Sequence, residues 1–93
     1  MTTLAEFMME SNSKATSAPR VLVVEDETET QKLIGRELRL EGFDVLRAGT
    51  AADGLRVLRH EAPDLLVLNL ALPDGSGADV CRSVRRDERW SGL

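Results

Sequence analysis

The sequence predicts an α/β protein with an open parallel sheet that is covered by helices on both faces. Three apolar runs with the character of buried strands alternate with three segments of helical periodicity. Because consecutive β-α-β units join neighbouring parallel strands through a helix, this alternation predicts a three-layer αβα arrangement. The elements follow one another as β-α-β-α-β-α.

Length and charge limit what such a chain can do. Its 93 residues suffice for one small domain, and 12 basic against 16 acidic residues give a net charge of −4. This balance argues against nucleic-acid binding by the whole surface but leaves a local basic patch open. No DNA-binding domain is recognisable in the sequence, so we expect no direct contact with nucleic acid. No apolar stretch has the length of a membrane span, and the N-terminus lacks the basic start of a secretion signal. We therefore expect a soluble, cytoplasmic protein.

The N-terminal segment differs in composition from the rest, which divides the chain into residues 1–19 and 20–93. Leu4, Phe7 and Met8 stand at helical spacing, and a polar stretch of small residues follows them. This pattern fits either a short docking helix or a disordered tail with a linker, and its composition favours the tail.

The first β-α unit begins after this tail. Residues 20–25 are rich in valine and predict a strand that is buried on both faces. Thr28 is placed to cap a helix that runs to about Glu41, and Gly42 is placed to end it. Three apolar residues are predicted to line the inner face of this helix: Leu33, Ile34 and Leu38.

The second unit is shorter. Residues 43–47 predict a strand, and Thr50 is placed to cap a helix whose Leu55 and Leu58 face inward. Pro63 cannot continue that helix because it lacks an amide hydrogen.

The third unit contains the most informative stretch of the sequence. Residues 65–70 predict a buried parallel strand that presents the polar Asn69 at its carboxyl end, where open α/β sheets place their ligand sites. A turn over residues 73–77 follows, in which Asp74 is predicted to serve the turn. A helix is predicted from Ala78 to about Arg89, with three residues inward: Val80, Cys81 and Val84.

Acidic residues mark the end of the first strand. Glu25 and Asp26 are adjacent there, and Glu27 follows directly. Neighbouring carboxylates repel one another, and a hard divalent cation held by oxygen ligands is one compensation. The alternative is an acidic cluster that suits the dipole of the following helix.

These two strand ends together resemble the receiver domain of bacterial two-component response regulators. The resemblance lies in residues 21–27 and 64–77 and extends over residues 20–93. In that family, the residue at position 69 is an Asp that accepts a phosphoryl group from a sensor histidine kinase. Asn69 carries an amide in its place and cannot form an acyl phosphate.

The resemblance also implies a metal site. It assigns four ligands to Mg²⁺, namely Glu25, Asp26, Asn69 and the backbone carbonyl of Ala71. Because a neutral amide replaces one of three carboxylates, we expect Mg²⁺ to bind weakly.

A receiver continues with two further β-α units, so the resemblance implies a truncated domain. The family's strand order would place the three strands as 2-1-3 and leave residues 65–70 at the edge of the sheet. Such an apolar edge is a template for pairing, and we expect self-association through it.

Arginine residues recur along one side of the third predicted helix. They form a basic stripe that either contacts an acidic partner or a phosphate backbone, or is a solvated helix face. The stripe consists of Arg82, Arg85, Arg86 and Arg89.

The sequence therefore predicts a receiver-like protein that is degenerate at its phosphoacceptor position and has no enzymatic activity. It would act by binding a sensor histidine kinase or another receiver domain in a two-component system. The alternative is the N-terminal part of a phosphorylatable, DNA-binding transcription regulator.

Overall fold

The computed structural model describes residues 6–10 and 18–87. These residues form the following elements in chain order: β1 (Glu6–Glu10), β2 (Arg20–Val24), α1 (Thr28–Leu40), β3 (Asp44–Ala48), α2 (Ala51–Glu61), β4 (Leu65–Asn69), β5 (Ala71–Leu72), β6 (Gly75–Ser76) and α3 (Gly77–Arg86). Among them, no helix combines the length and the apolar character needed to cross a membrane.

The central sheet contains the three parallel strands that the sequence predicts. Strand β2 lies between β3 and β4, and both neighbours run parallel to it. Val23 of β2 is opposite Arg47 of β3 on one side and Val67 of β4 on the other. The predicted strand order is therefore confirmed for these three strands.

A fourth strand completes the sheet, which has the order β1-β4-β2-β3. Strand β1 runs antiparallel to β4, with Glu6 opposite Asn69 and Glu10 opposite Leu65. We expected the edge of β4 to be open, and this expectation was wrong. Strand β1 of the same chain pairs with that edge. The segment at Glu6–Glu10 is a strand, whereas its composition suggested a tail or a short helix. The other residues of the predicted tail up to residue 17 lie outside the described ranges.

Helices cover both faces of the sheet, as predicted. On one face, α2 and α3 pack against alternate residues of the strands, and their contacts form the larger core. Leu58 of α2 and Val84 of α3 are fully buried in it. On the other face, Ile34 and Leu38 of α1 pack against Val23 and its neighbours. The fold is thus a three-layer αβα arrangement.

One predicted core residue of α1 is not in the core. Leu33 is 59% exposed, so its assignment to the inner face was wrong. Successive residues of a helix are rotated by about 100° relative to each other. Since Ile34 points at the sheet, Leu33 is turned towards solvent.

Most helix ends agree with the sequence prediction. The Thr50 hydroxyl accepts a hydrogen bond from the Asp53 amide at 3.1 Å and caps α2. Gly42 follows α1 with a φ of 95°, a conformation that glycine adopts without strain. Thr28 is the first residue of α1 rather than its cap, because Glu27 occupies the capping position. Helix α3 ends at Arg86, earlier than predicted, because the backbone at Asp87 is extended.

Candidate functional site

The carboxyl ends of β2 and β4 bring together the polar residues that the sequence singled out. Val24 is opposite Leu68 in the parallel pairing of these strands, so the residues that follow them are neighbours. Glu25 and Asp26 follow β2, and Asn69 is the last residue of β4. The fold therefore brings together the side chains that the resemblance assigns to one site.

The side-chain amide of Asn69 joins the two carboxylates. Its Nδ2 donates a hydrogen bond to Oε2 of Glu25 and another, at 3.2 Å, to Oδ1 of Asp26. Its Oδ1 accepts a hydrogen bond at 3.0 Å from the backbone amide of Ala71. The two N–H groups of this amide thus bridge the adjacent carboxylates, as a cation would otherwise do.

Burial makes this arrangement electrostatically demanding. Glu25 is 1% exposed, and its Oε1 is buried without a hydrogen-bond partner. Loss of hydration raises the pKa of Glu25 above its ordinary value, the hydrogen bond from Asn69 opposes that shift, and the charge of Asp26 adds to it. Glu25 is therefore a buried carboxylate that depends on the hydrogen bond from the Asn69 amide for its stabilisation.

Gln31 supports the site from the first turn of α1. Its Nε2 donates to the backbone carbonyl of Glu25 at 3.0 Å and to that of Ala48 at 3.2 Å. It therefore ties together the carboxyl ends of β2 and β3. Sequence reasoning missed this residue, since a glutamine near a helix N-terminus has no distinctive spacing relative to a carbonyl on another strand.

Gly77 lets α3 approach the strand end closely. A Cβ atom at this position would lie 2.7 Å from the Cα of Leu70 and 2.9 Å from the carbonyl carbon of Asn69. The Gly77 amide donates to the Leu70 carbonyl at 2.9 Å. Only a residue without a side chain fits here, which fixes the start of α3 against the backbone that carries Asn69.

Asp74 has a structural role beyond the turn that the sequence predicted. Its two carboxylate oxygens accept hydrogen bonds from the amides of Ala51 and Ala52, at 2.7 and 3.0 Å. These bonds lower the pKa of Asp74 below its ordinary value. Asp74 therefore caps the N-terminus of α2 from a hairpin formed by β5 and β6, next to the Asn69 strand end.

The arrangement of these side chains does not fit a tightly bound Mg²⁺. Glu25 and Asp26 supply oxygen ligands of the kind Mg²⁺ uses, but the Asn69 nitrogen already bonds to both carboxylates. The Asn69 oxygen, the one atom of this amide that could coordinate a metal, accepts a hydrogen bond from the Ala71 amide. Among the described residues, no group of three or more acidic, His or Cys side chains is arranged to hold a metal ion. The ligand role of the Ala71 carbonyl stays a prediction.

The predicted basic stripe lies on the outer side of α3. Arg82, Arg85 and Arg86 are exposed, and Arg82 pairs with Asp79 one turn earlier. Arg89 lies outside the described residues. The three arginines border a groove of about 510 Å³ whose apolar lining comes from Leu70, Ala78 and Cys81.

Comparison with known proteins identifies the family of this chain. The model of the response regulator receiver domain matches residues 21–92. The transcriptional regulatory protein AfsQ1 of Streptomyces coelicolor is 37% identical over 71 residues, covering 76% of this chain and 32% of that protein. The DNA-binding response regulator MtrA of Mycolicibacterium smegmatis is 40% identical over 72 residues, covering 77% of this chain and 32% of that protein. The chain thus spans about a third of the length of these curated relatives.

Solved structures agree with this relationship. The receiver domain of a LuxO repressor protein from Vibrio parahaemolyticus superposes with a TM-score of 0.70 at 35% identity, covering 74% of this chain and 53% of that one. The non-phosphorylated HemR receiver domain from Leptospira biflexa gives a TM-score of 0.70 at 34% identity, covering 76% of this chain and 57% of that one. The strand ends that carry Glu25, Asp26 and Asn69 lie within the matched family region, and the chain belongs to the response regulator receiver domain family.

Proposed function

We propose that this chain is a receiver domain that signals by binding a partner and takes no phosphoryl group at position 69. One observation carries the proposal: the Asn69 amide donates to both Glu25 and Asp26. An amide nitrogen is not the nucleophile that forms an acyl phosphate, and here its hydrogens are directed at the carboxylates. The chain then has no group at this strand end that would perform the phosphoryl transfer.

The same hydrogen bonds support a site that is held in one state. In a receiver that is switched by phosphorylation, charge at the acceptor position changes between the two states. The Asn69 side chain is neutral at every physiological pH, and its amide donates one hydrogen bond to each neighbouring carboxylate. We infer a constitutive binding surface with no enzymatic activity, in which any Mg²⁺ is bound weakly and is not needed.

A sensor histidine kinase or another receiver domain is the partner class that family membership favours. The exposed arginines of α3, beside an apolar groove, suit a partner that presents acidic and apolar side chains. AfsQ1 and MtrA are named as a transcriptional regulatory protein and a DNA-binding response regulator. Regulation of transcription would here proceed through the partner, and a cytoplasmic location stays a prediction.

The relatives' length supports a second candidate function. Because the chain spans 32% of AfsQ1 and of MtrA, it is also consistent with the N-terminal part of a transcription regulator. In that case phosphorylation would have to occur despite Asn69. The two candidates therefore differ in whether the chain accepts a phosphoryl group.

Incubation of the purified chain with acetyl phosphate and Mg²⁺, followed by intact mass spectrometry, separates them. We expect no added phosphoryl group on the chain, while a family member with Asp at the corresponding position is modified in parallel. Hydroxylamine treatment identifies an acyl phosphate, because it cleaves acyl phosphates and leaves phosphate esters intact. Stoichiometric modification at position 69 would overturn the proposal and favour the phosphorylatable regulator.

A further inference from the structure

A groove with an apolar floor runs along the outer side of α3. Its apolar lining comes from Leu70, directly after β4, and from Ala78 and Cys81 of α3, all of which are half-buried. Helix α2 packs against α3, yet none of its residues lines the groove. The groove therefore lies on a flank of α3 that the neighbouring helix leaves uncovered.

The rim of this groove is basic. Arg82, Arg85 and Arg86 border it, and no acidic residue among those described lines it. Arg82 is in an ion pair with Asp79. Arg85 and Arg86 are exposed, and neither forms an ion pair within the part of the chain that the structure describes. Carboxylates of a partner are therefore the charge complement that this rim lacks.

The α3 residues that line the groove stand on one side of the helix. They extend from Ala78 to Arg86, which is a little over two turns or about 12 Å. An element that lies along this side meets side chains only, because a helix bonds its backbone groups internally between its ends. A partner helix satisfies its own backbone in the same way, whereas an extended segment would bury unpaired donors and acceptors there. The geometry thus favours a helical partner.

We propose that this groove is a docking site for an acidic amphipathic helix of a partner protein. Apolar side chains one turn apart on that helix would pack on the apolar floor, and flanking carboxylates would pair with Arg85 and Arg86. Such docking rests on the proposed function, in which the chain acts by binding a partner. A nucleic acid fits the same arginines less well, because the described lining has no aromatic side chain for base stacking and the chain has a net charge of −4.

A synthetic helical peptide of about 14 residues, or about four turns, serves as the probe. It carries leucines at i, i+3, i+4 and i+7, glutamates on either side of them and alanine elsewhere. We expect calorimetry to show that it binds the full chain about three- to fivefold more tightly than the same peptide with glutamine in place of glutamate. Bound peptide should also slow the alkylation of Cys81, the only cysteine of the chain, by iodoacetamide, which intact mass spectrometry follows without any variant.

Reversing the charge of the rim tests the role of the arginines. Arg85→Glu combined with Arg86→Glu should weaken binding of the glutamate peptide at least about tenfold, because carboxylates then face carboxylates. Arg36→Glu combined with Arg39→Glu is the matched control, since it changes the net charge equally. Both control arginines are exposed on α1, which packs on the opposite face of the sheet from α3. The control should weaken binding less than about twofold, because charges that far apart are screened.

No peptide binding up to about one millimolar, equal losses in the two double variants, or an unchanged rate of Cys81 alkylation would each overturn the proposal. So would three results that assign the groove to another occupant. Tighter binding of duplex DNA than of the peptide at the same salt would assign it to a phosphate backbone. Self-association that Arg85→Glu and Arg86→Glu abolish would assign it to a second copy, and peptide binding only after removal of residues 88–93 would assign it to the chain itself. Since none of these measurements contains a phosphodonor, their failure leaves the proposal for position 69 untouched.

Discussion

Replacing Gly77 by alanine would place a methyl group against the backbone that carries Asn69. The new Cβ would lie 2.7 Å from the Cα of Leu70 and 2.9 Å from the carbonyl carbon of Asn69. Carbon atoms in contact are ordinarily about 3.5 to 4.0 Å apart, so α3 or the strand end must move by about 1 Å. Neither moves freely, because the Asn69 side chain is hydrogen-bonded to Glu25 and Asp26, and the Gly77 amide is hydrogen-bonded to the Leu70 carbonyl.

We expect Gly77→Ala to lower the free energy of unfolding by about 3 kcal/mol, at the upper end of the range for overpacked positions. For a domain of this size that corresponds to a fall in Tm of about 15 °C. Urea unfolding followed by circular dichroism measures the first quantity, and a thermal scan measures the second. The resonances of the Asn69 side-chain amide should shift at the same time, since its backbone is displaced.

Gly49→Ala is the matched control. Nothing lies within 4 Å of a Cβ at Gly49, so the substitution should change stability by less than about 1 kcal/mol and in the favourable direction. If Gly77→Ala were as stable as Gly49→Ala, the close approach of α3 to the strand end would be refuted. Failure of Gly77→Ala to fold where Gly49→Ala folds agrees with the reasoning.

Three further substitutions, one of them with a matched control, test the core, the α2 cap and the strand-end site. Leu58→Ala should lower the free energy of unfolding, measured in urea, by about 2 to 5 kcal/mol because Leu58 is fully buried. The control Leu40→Ala should lower it by less than about 0.5 kcal/mol, because the Leu40 side chain is 69% exposed. Equal losses for the two variants would contradict the assigned core. Asp74→Asn should destabilise the protein at neutral pH, because the ionised carboxylate caps α2. The folded-state pKa of Asp74 lies below the ordinary value of 3.8, so its contribution is present above that value and is lost as the pH falls through the folded pKa. A stability difference that is the same across the acid range would contradict this role. Asn69→Asp, in the absence of metal, should lower the free energy of unfolding by about 2 to 3 kcal/mol, because Glu25 and Asp26 lose their hydrogen-bond donor and face a third carboxylate. An unchanged urea midpoint would contradict the bridging role of the amide.

The sequence was sufficient to predict what depends on local pattern. Apolar runs predicted the buried strands, and Thr50 was predicted to cap α2 because a threonine directly precedes that helix. The meeting of Glu25, Asp26 and Asn69 was implied by the resemblance to the receiver family. The first two inferences need only neighbouring residues, and the third needs the motifs that carry the resemblance.

What the sequence could not predict depends on contacts between distant residues. Strand β1 has helical spacing in its apolar residues, but pairing with β4 decides its conformation. Asp74 looks like a turn residue, yet its carboxylate reaches the first amides of α2 from 22 and 23 positions away. The orientation of the Asn69 side-chain amide could not be predicted from the sequence either, because it depends on the positions of the two carboxylates and the Ala71 amide.

We infer that the Asn69 amide takes the place of a cation between Glu25 and Asp26. Titration with MgCl₂, followed through the Asn69 side-chain amide resonances and by calorimetry, measures whether a cation can displace it. We expect a Kd weaker than about one millimolar for the chain, and binding at least about tenfold tighter for Asn69→Asp, which restores a third carboxylate. A Kd of about ten micromolar for the unmodified chain, with the Asn69 amide displaced from both carboxylates, would contradict the bridging role of that amide.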